Sequence, residues 1–274
     1  VSKEIEDDLK LNKPMLRLVQ GDVGAGKTLV AGVAACHALE EGWQVALMAP
    51  TEILAEQHYL NFKKWFEPLG LSVSWLSGKQ KGKARAAAEQ IIKDGSAHLI
   101  VGTHALFQEN VEFAKLGLVI IDEQHRFGVD QRLALRNKGL DGMTPHQLVM
   151  TATPIPRTLA MSAYGDLDTS VIDELPPGRT PIQTVTIPLD RREEVLNRIA
   201  TNCAEDKQAY WVCTLVEQSE TLDAQAAEAT YQEIRERFPH LKVGLVHGKM
   251  KADEKQSVMQ QFKDNVLQLL IATT

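Results

Sequence analysis

Short apolar runs, each separated from the next by a polar stretch, are the feature that most limits how the first half of this chain can fold. The runs are MLRLVQ (15–20), QVALMAP (44–50), VSWLSG (73–78), HLIVGT (98–103), LGLVIID (116–122) and HQLVMTAT (146–153). They are almost continuously hydrophobic rather than alternating, which is typical of strands buried on both faces of a parallel sheet. Helical patterns lie between them, so we predict an α/β fold with helices on both sides of a parallel sheet.

Two of the helical stretches carry boundary signals. Thr51 follows Pro50 and is a suitable N-cap for the stretch that begins there. The stretch KARAAAEQIIKDG ends at Gly95, a residue type that commonly follows the last helical turn. The acidic beginning of the chain, KEIEDD, is expected to be an exposed helix turn.

A segment rich in proline divides the chain. DELPPGRTPI (173–182) contains three prolines and a glycine, which cannot continue a helix or a central strand. We therefore predict one lobe over 1–175, a linker over 176–182 and a second lobe over 183–274. The strand–helix rhythm resumes with QTVTIP (183–188), and the chain stops on the apolar run LQLLIATT. Because that run lacks a following helix, the second lobe is expected to be truncated at its C-terminus.

Composition excludes some classes of protein. The net charge of −6 gives no global basic signature for nucleic acid, and no apolar run approaches the length of a membrane span. The beginning of the chain has no apolar core, so it is not a signal peptide. The three cysteines form no metal-binding spacing, and we expect buried thiols in a reducing compartment, the cytoplasm.

The stretch GDVGAGKT (21–28) fits the phosphate-loop pattern and lies between a predicted strand and an apolar helix. Its glycines let backbone N–H groups turn toward the phosphates of a nucleotide, and the helix that follows adds its positive N-terminal dipole. Lys27 is a point charge for the β- and γ-phosphates, and Thr28 offers a hydroxyl to Mg²⁺. The predicted ATP-binding residues are Gly21, Asp22, Val23, Gly24, Ala25, Gly26, Lys27 and Thr28.

Two adjacent acids, Asp122 and Glu123, follow the apolar run LVII. In a parallel α/β sheet, ligands bind beyond the carboxyl ends of the strands. We predict that Asp122 holds the Mg²⁺ that Thr28 also contacts. Glu123 projects differently and is predicted to polarise the attacking water.

Polar residues beside these acids are predicted to sense the γ-phosphate. Gln124 and His125 follow directly, and neither is required for hydrolysis itself. Thr151 and Thr153, at the end of another strand, offer two hydroxyls for the same relay. Sensing of this kind suits a motor better than a simple hydrolase.

Ordered motifs along the whole chain resemble those of superfamily 2 helicases. They are GDVGAGKT, APTEILAEQH, VGTHALF, DEQH, TATPIPRTLA and HGKM. The longer strings DEQHRFGV, MTATPIPRTLA, GDLDTSVIDELPPGR and QAYWVCTLVE resemble the RecG ATP-dependent DNA helicases more narrowly. The resemblance implies two RecA-like lobes, ATP and Mg²⁺ as cofactors, and a motor that remodels stalled forks and branched recombination intermediates.

The resemblance also implies positions that meet the nucleic-acid backbone. They are Pro50, Thr51, Gln57, Gly102, Thr103, His104, Thr214, His247, Gly248, Lys249 and Met250. Backbone contacts carry little sequence information, as expected of an enzyme that moves along DNA. The implied partner is branched DNA, and the chain is expected to be monomeric.

The family's wedge domain and the C-terminal remainder of its motor have no counterpart in these 274 residues. The resemblance places the arginines that reach the γ-phosphate in that remainder, and such arginines accelerate phosphoryl transfer by orders of magnitude. This chain alone is therefore expected to bind nucleotide and to hydrolyse it weakly or not at all.

Other interpretations stay open at this stage. A transcription–repair coupling translocase shares TATPIPRTL and RFGV, and an RNA helicase shares the fold and chemistry. A binding module of a different class would use the phosphate loop only to regulate how it clamps DNA. The remaining histidines, among them His37, His58 and His146, show no ligand spacing and are expected to be core or surface residues.

Overall fold

The computed structural model describes residues 1–108, 110–123, 138–139, 142–153, 167–174, 176, 178–180, 182–213 and 220–273. The predicted site residues Gln124, His125 and Thr214 lie outside these ranges. The chain divides into two compact units, Val1–Pro181 and Ile182–Thr274.

Among its described residues, the first unit forms a parallel sheet of seven strands, with one helix before the first strand and others in the connections between strands. Its strands are β1 (Leu16–Gly21), β2 (Gln44–Met48), β3 (Val73–Leu76), β4 (Leu99–Gly102), β5 (Leu116–Asp122), β6 (His146–Thr151) and β7 (Asp168–Ile172). Its helices are α1 (Ser2–Leu9), α2 (Lys27–Glu40), α3 (Glu52–Phe66) and α4 (Gly82–Lys93). The strand order is β3-β4-β2-β5-β6-β1-β7, and every pairing is parallel.

Both faces of this sheet are buried, as the continuous apolar runs predict. Along β2, Val45 and Leu47 belong to one apolar cluster, while Ala46 and Met48 belong to another. Successive side chains of a strand point to opposite faces, so the two clusters lie on opposite sides of the sheet. The prediction of an α/β fold with a covered parallel sheet is confirmed.

Local signals also have the predicted effect. The Thr51 side chain accepts a hydrogen bond from the N–H of Leu54 (3.3 Å) and caps α3. Gly95 follows the C-cap residue of α4 with a φ of 80°. The acidic start forms a full helix, α1, rather than a single turn, because Ile5 is buried in the core.

Strand β7 was not predicted. It forms the edge of the sheet beside β1, with Arg17 opposite Asp168 and Gly21 opposite Ile172. Its sequence, DTSVI, is short and mostly polar or exposed, so it has none of the apolar continuity of the other strands. Pairing with β1 stabilises it in spite of this weak local signal.

The second unit contains a smaller parallel sheet. Its strands are β8 (Ala209–Cys213), β9 (Val243–Val246) and β10 (Leu269–Thr273), in the order β8-β10-β9. Its helices are α5 (Arg192–Ala204), α6 (Glu220–Arg237) and α7 (Ala252–Lys263). The expected strand over QTVTIP is wrong, since residues 183–188 are exposed and form no strand.

None of the helices in the described ranges combines the length and the apolar character that a membrane crossing requires.

Candidate nucleotide and nucleic-acid site

The phosphate loop connects β1 to α2. Gly24 and Gly26 have φ angles of 84° and 95°, a left-handed conformation that favours glycine. Gly26 is also the N-cap of α2, so the loop ends where the first N–H groups of that helix are free of helical partners. A loop of this shape at a helix N-terminus is suited to bind phosphate through backbone N–H groups.

The Lys27 side chain folds back over the loop. Its Nζ donates hydrogen bonds to the carbonyl oxygens of Gly21 (2.7 Å) and Asp22 (2.9 Å). The ammonium group is therefore held at the mouth of the loop by two neutral acceptors. A phosphate oxygen is a charged acceptor, and hydrogen bonds to charged acceptors are stronger than those to neutral carbonyl oxygens.

A residue of the predicted linker also contacts the loop. Nη1 of Arg179 lies 2.9 Å from Oδ2 of Asp22 and donates to the carbonyl oxygen of Val23 at 2.9 Å. A Cβ added to Gly24 would lie 3.4 Å from the ring of Pro176. The proline-rich segment therefore packs on the phosphate loop, which the sequence alone did not indicate.

The strand order brings the phosphate loop and the two acids together at the carboxyl ends of the strands. β6 lies between β1 and β5, with Gln20 opposite Thr151 and Met150 opposite Asp122. Adjacent strands are about 4.8 Å apart, so the ends of β1 and β5 are roughly 10 Å apart. Thr151 lies between them.

Asp122 and Glu123 point in different directions, as predicted. Asp122 completes β5, and its Oδ2 lies 2.7 Å from Nε2 of His58 on α3. Glu123 has a φ of 51°, an uncommon conformation for a residue with a side chain. The change of backbone conformation between them separates two adjacent carboxylates.

The Glu123 carboxylate is held at the end of β6. Oε2 accepts a hydrogen bond from the Thr151 hydroxyl (3.1 Å), and Oε1 accepts from the N–H of Ala152 (3.1 Å). The Thr151 hydroxyl in turn accepts from the N–H of Thr153 (3.1 Å). Strained backbone conformations cost about 1–3 kcal/mol and persist where surrounding contacts impose them. Here those contacts fix the direction of the carboxylate.

The oxygen-bearing side chains at the carboxyl ends of these strands suit Mg²⁺. Thr28 and Asp122 offer hard oxygen ligands, which Mg²⁺ prefers. Among the described residues, no group of three or more His, Cys, Asp or Glu side chains could enclose a metal ion.

The predicted nucleic-acid positions of the first unit also lie at the carboxyl ends of strands. They follow β2 and β4, which lie on the other side of β5 from the phosphate loop. Pro50 and Thr51 follow β2, and Gly102 ends β4. The N–H of Ala49 donates to the carbonyl oxygen of Gly102 (3.0 Å), so these strand ends are neighbours. The strand order thus separates the predicted nucleotide residues from the predicted nucleic-acid residues.

These positions differ in exposure. Thr51, Gln57 and His104 are exposed, whereas Thr103 is buried. A Cβ added to Gly102 would collide with the carbonyl oxygen of Leu76 on the neighbouring strand, so the pairing of β3 with β4 requires a glycine there. In this structure Thr51, Gln57 and His104 offer exposed side chains to a ligand.

In the second unit, the run from His247 to Met250 follows β9. His247 is mostly buried, with Nε2 3.4 Å from a carboxylate oxygen of Glu228. The carbonyl oxygen of Gly248 accepts from Nζ of Lys255 (2.8 Å), and Lys249 is exposed. Met250 closes a turn by donating its N–H to the carbonyl oxygen of His247 (3.2 Å).

Two residues of the site were missed at the sequence level. His58 was expected to be an ordinary core or surface histidine, and Arg179 was part of the linker. His58 lies 64 residues from Asp122 along the chain, and Arg179 lies 157 residues from Asp22. Separations this long form no short motif that would indicate either contact. Only the fold brings these pairs together.

Comparison with known proteins identifies the family. The DEAD/DEAH box helicase model matches residues 7–162, and the helicase conserved C-terminal domain model matches residues 191–274. The chain is 65% identical over its full length to the ATP-dependent DNA helicase RecG of Escherichia coli K12, and 62% identical to that of Haemophilus influenzae. It spans 40% of the length of each of these curated relatives.

A solved structure agrees with these matches. RecG bound to a three-way DNA junction superposes with a TM-score of 0.77 at 40% identity, over the whole of this chain and 35% of that one. The prediction of two RecA-like lobes with parallel sheets is confirmed. The chain belongs to the DEAD/DEAH box helicase family, and it carries a RecG-type superfamily 2 helicase core.

Proposed function

We propose that this chain is the motor core of an ATP-driven DNA helicase that remodels stalled forks and branched recombination intermediates. The observation that carries the proposal is the separation of two adjacent carboxylates beside a phosphate loop. Asp122 turns toward α3, while Glu123 is held by Thr151 and Ala152. An ATP hydrolase needs one acid near the metal and another near the attacking water.

In this proposal the phosphate loop binds ATP. Backbone N–H groups at the start of α2 and the ammonium of Lys27 hold the phosphates. Thr28 and Asp122 would hold Mg²⁺, which neutralises charge that develops on the phosphate oxygens when it is bound. Glu123 orients the attacking water and accepts its proton. Gln124 and His125 are proposed to sense the γ-phosphate.

Thr151 and Thr153 are proposed to relay the nucleotide state. The hydrogen bond from Thr151 to Glu123 joins the end of β6 to the proposed general base. The N–H of Thr153 donates to the same hydroxyl, so the backbone beyond β6 is attached to the catalytic carboxylate. A change at the γ-phosphate would thus reach the segment that follows β6.

Branched DNA is the proposed partner. Support comes from the RecG structure, which is described as bound to a three-way DNA junction. The exposed residues Thr51, Gln57, His104 and Lys249 are proposed to contact phosphates, together with Pro50, Gly102, Thr103, Thr214, His247, Gly248 and Met250. The proposed lobe boundaries remain 1–175 and 183–274, with 176–182 as the linker.

The 274 residues alone are proposed to bind nucleotide and to hydrolyse it weakly. They span 40% of the length of the RecG relatives, so contributions from the remaining part of such a protein would be missing. We also propose a cytoplasmic location, which the free thiols of Cys36, Cys203 and Cys213 support.

The test is ATP turnover by the wild-type chain, by a version extended to the full length of its RecG relatives, and by Glu123→Gln in each. Loss of a general base lowers turnover by about 10²–10⁴-fold. We expect the extended version to hydrolyse ATP faster in the presence of forked DNA, and Glu123→Gln to abolish that turnover while still binding nucleotide. Unchanged turnover in Glu123→Gln would favour the nucleotide-regulated binding module instead.

Two further arms separate the remaining enzyme candidates. Displacement of a strand from a forked substrate distinguishes a helicase from a translocase that moves on DNA without unwinding it. Stimulation of turnover by RNA as strongly as by DNA would instead favour an RNA helicase.

A further inference from the structure

His58 has a contact that the proposed function does not use. It lies on α3, and its Nε2 is 2.7 Å from Oδ2 of Asp122, the carboxylate proposed to hold Mg²⁺. The side chains are 9% and 13% exposed, so the pair is shielded from water. A short hydrogen bond in such a place is worth more than one at the surface, because competing water is excluded.

The chemistry of the two groups determines which atom donates. An ionised carboxylate only accepts hydrogen bonds, so the hydrogen lies on Nε2 of His58. The second ring nitrogen, Nδ1, is buried and has no hydrogen-bond partner among the described residues. Phe62 packs edge-on against the imidazole, with ring centroids 6.4 Å apart. The ring is therefore fixed by packing on one side and by Asp122 on the other.

We propose that His58 is a positioning residue for the metal-holding carboxylate. This inference rests on the proposed function, since it gives a role to the histidine behind Asp122. By occupying Oδ2, His58 fixes the rotamer of Asp122 and leaves Oδ1 for the cation or for a water bound to it. Hydrogen bonds to a ligating carboxylate orient it, and their loss typically lowers metal affinity or activity by about 10–100-fold.

A purely structural role for His58 predicts a different dependence on the side chain. A core position needs the volume and shape of the ring, whereas a positioning residue needs the N–H group at the place of Nε2. These requirements can be separated by two substitutions. His58→Phe keeps a planar ring without a donor. His58→Gln loses the ring but carries an amide N–H at a similar reach.

The measurement is the affinity for a fluorescent ADP analogue with excess MgCl₂ and with EDTA. The ratio of the two dissociation constants is the magnesium gain. We expect His58→Phe to lower this gain by about 10–100-fold while leaving the dissociation constant in EDTA unchanged. His58→Gln is expected to keep a gain close to that of the wild-type chain. The melting temperature in EDTA reports packing separately.

Controls distinguish failure of this inference from failure of the proposed function. Asp122→Asn should lose the magnesium gain, and Lys27→Ala should weaken binding in both buffers. The proposed function is wrong if the wild-type chain binds no nucleotide. It is also wrong if binding shows no magnesium gain, or if Asp122→Asn does not remove that gain. If that gain is present but survives in His58→Phe, only the role of His58 is overturned.

A third variant covers the case in which His58→Phe does not fold. His58→Asn carries the same amide as His58→Gln but is one methylene shorter, so its donor reaches only the place of Nδ1. We expect the glutamine variant to keep the magnesium gain and the asparagine variant to lose it. Equal gains in the two variants would overturn the proposal.

Discussion

Nη1 of Arg179 lies 2.9 Å from Oδ2 of Asp22 and 2.9 Å from the carbonyl oxygen of Val23, so one guanidinium nitrogen joins the proline-rich segment to the phosphate loop. A bound nucleotide would occupy the same loop. The conformation of the segment and the occupancy of the loop are therefore expected to depend on each other.

Substitution of Arg179 tests this connection. Arg179→Ala removes a partly exposed pair, and pairs of this kind contribute about 0.2–1 kcal/mol. We expect nucleotide affinity to fall by at most about fivefold, because 1.4 kcal/mol corresponds to a factor of ten. In a double-mutant cycle with Asp22→Ala, the two effects should not add. Arg191→Ala, which breaks an exposed pair with Glu194 in the second unit, is the matched control. Additive effects of the first two changes would argue against the connection.

The hydroxyl of Thr151 is expected to matter for turnover rather than for binding. Thr151→Val removes the donor to Glu123 and the acceptor of the Thr153 N–H. A hydrogen bond to a charged group contributes about 1.5–3 kcal/mol, so kcat should fall by roughly 10–100-fold while nucleotide affinity changes little. Thr151→Ser keeps the hydroxyl and should retain turnover. The comparison is best made in a version that hydrolyses ATP, and equal rates in the two variants would contradict the prediction.

His146 is expected to make the stability of the first unit depend on pH. Its Nδ1 accepts a hydrogen bond from the N–H of Met15 (3.0 Å), at the amino ends of β6 and β1. Burial lowers the pKa of His146 below its ordinary value, although the charge of Asp8 opposes this shift. Between the lowered folded value and the ordinary value near 6.5, the unfolded chain binds more protons. The contribution of His146 to the free energy of unfolding is therefore fully present above about pH 6.5 and is lost as the pH falls.

The control for this prediction is His146→Asn, whose amide oxygen can accept from Met15 without titrating. Urea unfolding curves at pH 7.5 and pH 5.5 should differ more for the wild-type chain than for the variant. A pH dependence that is the same in both would exclude His146 as its source.

The parts of this fold that could be predicted are those with a strong local signal. The run LGLVIID coincides with β5, Leu116–Asp122, because continuous burial on both faces demands continuous apolar residues. Thr51 caps α3 as predicted, since its hydroxyl acts within a single turn. Strand β7 was missed because its stability comes from pairing with β1, about 150 residues earlier, rather than from its own side chains.

The same distinction applies to the candidate site. The phosphate loop is recognisable because all its functional atoms come from eight consecutive residues, 21–28. The contact of His58 with Asp122 has no such signature, because it joins a helix and a strand that lie 64 residues apart. The expected strand over 183–188 failed for a related reason, since alternation of apolar residues alone does not provide a pairing partner.

The position of β1 has a consequence for the order in which the protein folds during synthesis. β1 carries the phosphate loop, yet its two neighbours in the sheet are β6 and β7, whose residues are translated about 130–150 residues later. Pairing over such long separations is slow, because a large loop must close before any contact compensates its entropy. A nascent chain that has already exposed GDVGAGKT therefore cannot complete the nucleotide site until Ile172 is made. At roughly 5–20 residues per second, translation from the end of this loop to Ile172 takes about 7–30 seconds, and the loop lacks its supporting strands during that time.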